Sequence, residues 1–252
     1  MPTLHSWSVP LFVLAAALVM MIAERRWPGR AWPKVVGWWP RALALNAVQA
    51  GSVFLAGVLW EPWLRAHRLW SAESLGPALG VTVGYLVHTF VYYWWHRARH
   101  RVPVLWRWVH QVHHSPERIE VITSFYKHPI EILTNGVLSS LVLYIGVGLD
   151  PIAASATMLV NGFAELVYHW NVRTPRWLGY IVQRPESHLV HHQHGLHHYN
   201  YADLPIFDIL FGTFKNPERW EARCGLGPQQ EHRLIEMLAG KDIGSVPVER
   251  NP

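Results

Sequence analysis

The stretch of the chain that decides the fold is residues 74–96, which read SLGPALGVTVGYLVHTFVYYWWH and contain no Asp, Glu, Lys or Arg. A helix of about 20 mostly apolar residues is long enough to cross the hydrocarbon core of a bilayer. The stretch ends in His96, which begins the motif His96-Arg-Ala-Arg-His100. Because residues four apart are neighbours on a helix, this segment predicts a membrane-spanning helix whose end presents two histidines on one face.

Further charge-free windows predict more membrane helices. They are residues 1–23, 42–60, 132–149 and 151–164, the last of which extends to 170 if Glu165 is tolerated. Only 15% of the chain is charged, whereas an average soluble domain has about 25%. The high apolar content excludes a disordered chain, and the single Cys224 excludes a disulfide scaffold or a cysteine-based zinc fold. We therefore expect residues 1–252 to form a single, all-α, multi-pass transmembrane helical bundle with about four to five membrane helices.

The distribution of cations predicts the orientation of this bundle. Lys and Arg are frequent in residues 24–41, 97–130 and beyond 170, whereas the 61–73 loop holds only Arg65 and Arg68. Because cation-rich loops stay in the cytoplasm, we expect the 97–130 segment and a tail over 215–252 on that side, in an integral membrane protein, with a bacterial inner membrane as the expected location. The first window has no basic segment before it and no small-residue cleavage site, so we interpret it as an uncleaved helix. The net charge of +5 follows from this topology, and no nucleic acid partner is expected.

Three histidine clusters lie in the predicted cytoplasmic segments. They are His96 and His100; His110, His113 and His114; and His188, His191 and His192. Pro103 and Ser115-Pro116 bound the second cluster and predict a short helix over about 104–114. One zinc ion takes three or four protein ligands, so eight imidazoles suit two transition metals such as iron, copper, zinc or nickel. The sequence thus predicts a dimetal site at the cytoplasmic membrane surface.

Two other functions are compatible with a histidine-rich metal site. A metal-binding transporter or sensor is one alternative, although a transporter is expected to place its ligands near the membrane midplane. A dizinc membrane hydrolase is the other, because zinc has no redox chemistry and would favour hydrolysis. Metal content measured together with oxygen-dependent turnover separates these alternatives from an oxygenase.

A series of motifs extends the histidine clusters over residues 85–214. In order, the motifs are Tyr92-Tyr93-Trp94-Trp95-His96-Arg97, His110-Gln-Val-His113-His114-Ser115, His128-Pro129-Ile130-Glu131, His169-Trp170-Asn171, Ser187-His188-Leu-Val-His191-His192, Asn200-Tyr201 and Asp208-Ile-Leu-Phe211-Gly212-Thr213-Phe214. Their order and spacing resemble the membrane fatty acid hydroxylase and sterol desaturase superfamily of non-haem diiron enzymes. The resemblance implies a membrane bundle topped by a cytosolic histidine-rich helical cap that holds two iron ions. It further implies O2-dependent hydroxylation or desaturation of a lipid, sterol or isoprenoid/carotenoid substrate, and we favour hydroxylation.

The resemblance also implies the ligands. They are His96, His100, His110, His113, His114, His169, His188, His191 and His192. The alternative for His169 is an interfacial histidine, and His128 suits a structural or substrate-side role as well as ligation. Thr89 stands where many members carry Asp, and the neighbouring His88 is either a functional or a core histidine.

The tandem motif His194-Gly195-Leu-His197-His198 repeats the HxxHH pattern of the third cluster. Gly195 disfavours a helix there, so we expect these histidines in a loop or behind the ligands. Glu165 lies four residues before His169 and either orients a ligand, relays protons or pairs with an interfacial Arg.

The resemblance implies a supply of electrons from outside. The chain shows no dinucleotide-binding glycine pattern and no iron–sulfur cysteine run, so we expect a separate electron donor of ferredoxin or cytochrome type. Arg97, Arg99, Arg101 and Arg107 either dock such a donor or reflect the membrane topology alone. Zinc is expected as a possible substitute for iron in a structure.

Overall fold

The computed structural model describes residues 5–244, and all regular elements in this range are helical. The one β contact among the described residues is an isolated antiparallel bridge between Gln193 and Cys224. Residues 1–4 of the first charge-free window and residues 245–252 of the predicted tail lie outside the described range. The all-α class is therefore confirmed for the described residues, and the single domain over 1–252 stays a prediction.

The helices follow one another through the chain with short connections. They are α1 (His5–Arg26), α2 (Trp38–Leu59), α3 (Glu61–Ala66), α4 (Gly76–Arg101), α5 (Pro103–Leu105), α6 (Gln111–His114), α7 (Pro129–Ser140), α8 (Pro151–His169), α9 (Pro185–His191), α10 (Pro205–Leu210), α11 (Pro228–Glu231) and α12 (Leu234–Leu238). Wider π-helical turns continue α5 over Trp106–His110 and α7 over Leu141–Gly146. Single 3₁₀ turns cover Glu73–Leu75, Val121–Thr123 and Arg176–Tyr180.

Three stretches among the described residues are long and apolar enough to cross a membrane. They are Trp38–Ala66, Glu73–Arg101 and Pro129–Gly146. They match three of the predicted windows. The first and last windows correspond to α1 and α8, and the polar residues Asn161 and Glu165 interrupt the apolar run of α8. A total of five membrane helices therefore stays a prediction.

Helices α4 and α8 approach each other closely because glycine lies at their contact. A Cβ atom on Gly84 would stand 2.7 Å from Leu149 and 2.8 Å from Thr157. At Gly80 the nearest atom would be the Cβ of Ala153, at 3.1 Å. Small residues permit this kind of close packing between membrane helices. The contact holds the ends of α4 and α8 side by side, which is where His96 and His169 lie.

The remaining elements form what we call the cap, namely residues 102–128 and 170–244. The predicted short helix over 104–114 is present as α5, the π-helical turn and α6, and it ends before Pro116 as expected. The predicted tail packs back on the bundle, since Met237 is fully buried in a cluster with Trp38 and Trp106. The 61–73 segment, expected to be a loop, contains α3, which Pro62 starts and the buried Leu64 anchors.

Candidate metal centre

The histidines implied as ligands lie together in the interior, in two adjoining groups. The first group is His96, His100, His110, His114 and His191, and the second group is His113, His169, His188 and His192. In each group, one ring nitrogen from every histidine lies within 4.8 Å of the others, and all these residues are buried. The groups adjoin at His114 and His192, whose rings stack with centroids 4.3 Å apart.

Helix ends deliver these side chains to the centre. His96 and His100 occupy the last turns of α4, while α8 ends at His169 and α9 ends at His191. The second histidine cluster follows the π-helical turn, where His110 adopts an irregular φ of −144°. From this short segment, residues 110 and 114 face the first group and residue 113 faces the second. The segment therefore connects the two groups.

The inward-facing ring nitrogens lie very close to one another. In the first group, Nε2 of His110 is 2.9 Å from Nε2 of His96 and 3.1 Å from Nε2 of His114. In the second group, Nε2 of His188 is 3.1 Å from Nε2 of His169 and 3.0 Å from Nε2 of His192. These short separations raise the question of which nitrogen in each pair carries a proton.

The outer ring nitrogens answer this question for the first group, because they face oxygen acceptors. Nδ1 of His96 donates to the Tyr201 carbonyl at 2.7 Å, and Nδ1 of His110 donates to Oε1 of Glu131 at 2.9 Å. Nδ1 of His191 donates to the Tyr199 carbonyl at 2.8 Å. A neutral imidazole carries one proton, so each of these rings points an unprotonated Nε2 inward.

Two histidines of the second group, His169 and His188, follow the same rule, whereas Nδ1 of His113 and of His192 has no hydrogen-bond partner in the described part of the chain. Nδ1 of His169 donates to the Glu165 carbonyl at 2.8 Å. Nδ1 of His188 lies 2.8 Å from the side-chain amide of Gln183, which accepts the proton through its oxygen. Inward lone pairs therefore face each other in both groups, an arrangement that repels unless a cation lies between them.

The two groups fit transition metal ions. Two ligand nitrogens about 2.1 Å from one metal ion lie about 3.0 Å apart at an angle of 90° and about 3.4 Å apart at the tetrahedral angle, and the inward separations are close to the first of these values. Within residues 5–244, Nε2 of His191 and both ring nitrogens of His100 are buried without a hydrogen-bond partner. Fixing the outer nitrogen of a ligating histidine to a carbonyl or carboxylate is the usual way to orient it toward a metal. All-imidazole donor sets suit iron, copper, zinc or nickel.

Electrostatics keep these cap imidazoles neutral. Burial, reinforced by neighbouring histidines, holds the pKa of His110, His113 and His114 well below the ordinary value. The same causes lower the pKa of His188 and His192. Because only the neutral ring has a free lone pair to offer a metal, the site is ready for cations at physiological pH.

Glu131 joins the first group to a buried ion pair. Its carboxylate is completely buried and accepts from Nη1 of Arg99 at 2.6 Å as well as from His110. Arg99 is itself 4% exposed, so the interpretation of this arginine as part of a donor-docking surface is wrong. The signal for Glu131 was its place in the motif His128-Pro129-Ile130-Glu131, although the sequence did not reveal its partner.

A left-handed loop after α9 forms the outer wall of the first group. His197, Tyr199 and Asn200 have φ values of 47°, 66° and 49°, a region that costs non-glycine residues on the order of 1–3 kcal/mol each. The loop supplies the Tyr199 and Tyr201 carbonyls that bind ligand rings, and Nδ1 of His197 lies 3.0 Å from Nδ1 of His114. Burial lowers the pKa of His197 to about 3. This histidine therefore contacts a ligand from outside the group.

The other histidines considered from the sequence do not join either group. His88 bonds to Oγ of Ser139 at 3.0 Å, and His128 caps α7 by accepting from the Ile130 amide at 3.0 Å. His194 bonds to the Gly225 carbonyl at 2.8 Å, and Gly195 has a φ of 72°, so no helix forms there.

Glu165 takes two of the predicted roles at once. Its carboxylate pairs with Lys127, where an arginine was expected, and its backbone carbonyl orients His169.

Comparison with known proteins finds one matching family and several similar curated proteins. The sequence profile described as "Fatty acid hydroxylase" matches residues 81–213. An ornithine lipid hydroxylase from Rhizobium tropici is 30% identical over 82% of this chain and 66% of its own length. The human alkylglycerol monooxygenase is 33% identical over 68% of this chain and 40% of its own length. A very-long-chain aldehyde decarbonylase from Oryza sativa is 30% identical over 65% of this chain.

The chain spans only part of these curated relatives, from 28% of the aldehyde decarbonylase to 66% of the ornithine lipid hydroxylase. No solved structure matches the chain.

Proposed function

The chain belongs to the fatty acid hydroxylase family, and from this membership we propose that it is an integral membrane, O2-dependent diiron enzyme that hydroxylates a C–H site of a lipid. The carrying observation is the pair of adjoining groups of five and four buried imidazoles with unprotonated nitrogens turned inward. The names of two relatives, a lipid hydroxylase and a monooxygenase, support hydroxylation rather than hydrolysis or transport. The two groups would each hold one iron ion.

Bound iron would supply the reduction of O2 and the oxidation of an unactivated C–H bond, which no amino acid side chain performs. In hydroxylation, one oxygen atom enters the C–H bond and the other leaves as water, with the uptake of two electrons and two protons. The protein residues bind and orient the metals. The Tyr199 and Tyr201 carbonyls and the Glu131 carboxylate hold the ring nitrogens of the first group in one tautomer.

We propose that substrates enter from the bilayer. Both groups lie at matching ends of α4 and α8, because His96 and His100 occupy the last turns of α4 and α8 ends at His169. We propose that these ends face the cytoplasm. A lipid can then present its chain without leaving the membrane. Several lipid classes remain candidates, among them acyl lipids, sterols and isoprenoids or carotenoids.

We further propose that electrons come from a separate ferredoxin-type or cytochrome-type protein. A cleft of about 720 Å³ extends from the surface of the cap to the end of α8, where its wall includes His169. Four arginines and three glutamates also line this cleft, namely Arg30, Arg173, Arg176, Arg219, Glu186, Glu218 and Glu221. A cleft of mixed charge at the second group can form ion pairs with a donor, because complementary charges steer association.

The proposal is tested by metal analysis and turnover of the purified chain. The protein, reconstituted in lipid and supplied with a reducing system, should contain two iron ions and convert a lipid only when O2 is present. With ¹⁸O₂, the mass of the hydroxylated lipid should rise by one labelled oxygen. Comparing the lipids of cells with and without the chain identifies the substrate. Redox-silent zinc that supports hydrolysis without O2 would contradict the proposal.

A further inference from the structure

The cap exposes a continuous apolar surface, which we call the α10 patch. It consists of Trp177, Tyr180, Ile181, Ile206, Ile209 and Leu210, which are between 44% and 66% exposed. The first three lie in or next to the 3₁₀ turn Arg176–Tyr180, and the others lie on α10. The two segments contact each other, and the Tyr180 ring lies 5.6 Å from that of Phe214. Apolar patches of this kind on a protein surface usually mark a contact with a membrane or another protein.

Helix α10 packs against the apolar part of α4, before Arg97, the first charged residue at the proposed cytoplasmic end of α4. The Phe207 ring lies 5.4 Å from that of Phe90, and the Phe211 ring lies 4.8 Å from that of Trp94. Phe90 precedes Arg97 by seven positions, which is about 10 Å along a helix. A helix too short to span a membrane therefore lies beside the last apolar turns of a proposed membrane helix.

The patch also continues a face of α4 that the rest of the protein covers only in part. Leu86, Phe90 and Trp94 follow one another at intervals of four and are 45%, 41% and 43% exposed. In the proposed membrane orientation, lipid covers this face. Phe207 of α10 contacts Phe90, and Phe211, the residue after α10, contacts Trp94. The lipid that covers this face therefore also reaches Ile209 and Leu210.

We propose that α10 and residues 176–181 lie in the cytoplasmic leaflet as an interfacial element that binds lipid acyl chains. This inference rests on the proposed membrane placement of α4. Interfacial helices bury their apolar face about 5–10 Å into the headgroup–acyl boundary, which agrees with the level of Phe90. Arg176 begins the first segment and Lys215 follows the second. Such cations favour anionic headgroups.

The occupant of the patch is bilayer lipid rather than a second copy of the chain. The patch is continuous with the lipid-facing stripe of α4 and has cations next to both its segments, as a membrane-facing surface requires. It also lies beside the metal site, because the Phe211 ring lies 5.0 Å from that of Tyr93, one helical turn before His96. A lipid held at the patch is therefore close to the first metal group.

The depth of Ile209 in a membrane tests this inference. The full chain carries one cysteine, Cys224, which is 2% exposed, so single cysteines introduced elsewhere can be labelled with a small fluorophore. The variants are Ile209→Cys on the patch, Leu86→Cys on the lipid-facing stripe of α4, and Arg223→Cys, whose parent side chain is 73% exposed. Each labelled protein is reconstituted in vesicles containing anionic lipid and is quenched in turn by brominated lipid and by aqueous iodide.

We expect the label at position 209 to be quenched by brominated lipid as the label at position 86 is. Aqueous iodide should not quench the label at position 209, although it quenches the label at position 223. Iodide quenching at 209 with lipid quenching at 86 would overturn the inference and leave the proposed span of α4 intact. Protection of 209 from both quenchers would indicate a protein contact and would also overturn it. Absence of lipid quenching at 86 would overturn both the inference and the proposed membrane placement.

Discussion

Replacement of Glu131 by alanine should weaken iron binding at the first histidine group. Glu131 fixes the proton of His110 on Nδ1 through a contact of 2.9 Å, which leaves Nε2 free to face the group. Loss of such an outer partner typically lowers metal affinity by about 10–100-fold, which corresponds to about 1.4–2.7 kcal/mol. The four histidines of the second group do not touch Glu131, so the affinity of the second site should not change.

The same substitution removes the partner of a buried cation. Arg99 has a side chain 5% exposed and bonds to Glu131 at 2.6 Å. Breaking a buried pair by removing one partner costs about 3–5 kcal/mol, so the metal-free Glu131→Ala protein should also be less stable. The Glu131→Gln variant keeps an oxygen acceptor for His110 and should lose less iron affinity than the alanine variant.

Iron titration of the metal-free protein in detergent, followed by metal analysis at graded free iron, measures the two sites. The matched control is Glu231→Ala, because Glu231 is another buried carboxylate that pairs with an arginine, Arg41, at 2.9 Å. This control should lose stability and keep both irons. If Glu131→Ala binds both irons with unchanged affinity, Glu131 does not hold His110 in its ligating tautomer, and the argument from the outer nitrogens is refuted.

Three further predictions concern the ligands, the loop and pH. His113→Ala should lose bound metal and activity while the protein still inserts in the membrane, and His194→Ala should keep most activity. The opposite ranking in metal analysis and turnover would show that the wrong histidines of the tandem motifs were assigned as ligands. Asn200→Ala should lower the free energy of unfolding by about 2–6 kcal/mol, since its side chain donates to the Ser187 and Lys215 carbonyls at 2.7 and 2.9 Å in a buried position and two unmet groups cost about 1–3 kcal/mol each; an unchanged denaturant midpoint would contradict this. The metal-free protein should lose stability as the pH falls below about 6.5, because the pKa values of the buried cap histidines are lowered in the folded state and only the unfolded chain takes up protons there. Each such histidine contributes at most about 1.4 kcal/mol per pH unit, and bound iron should move the acid transition, followed by circular dichroism, to lower pH.

The sequence predicted the helices and the ligand clusters because both depend on local periodicity. The charge-free windows predicted α2, α4 and α7, and the limits of the windows differ from the ends of these helices by only a few residues. Spacings of three and four residues identified the three histidine clusters, but the prediction that each cluster shares one face was wrong for the second and third, which each divide between the two groups. His169 has no such neighbour and was predicted only from the family motif around it.

The parts that could not be predicted depend on contacts between distant segments. The Tyr199 and Tyr201 carbonyls bind His191 and His96 only because the loop after α9 turns left-handed, and backbone acceptors leave no trace in side-chain patterns. Arg99 was grouped with surface cations because a charge count does not show which arginine has a buried partner. The level of α10 beside α4 was not foreseen either, since that helix is too short to be recognised by hydropathy.

The loop after α9 also limits how the protein can be re-engineered. The carbonyls of Tyr199 and Tyr201 meet ring nitrogens from α9 and α4 at 2.8 and 2.7 Å. Inserting or deleting one residue between His192 and Asn200 would shift these acceptors by up to about 3.8 Å, farther than a hydrogen bond tolerates. We therefore expect changes in chain length to be tolerated less between His192 and Asn200 than in the 61–73 segment, which lies at the opposite end of α4.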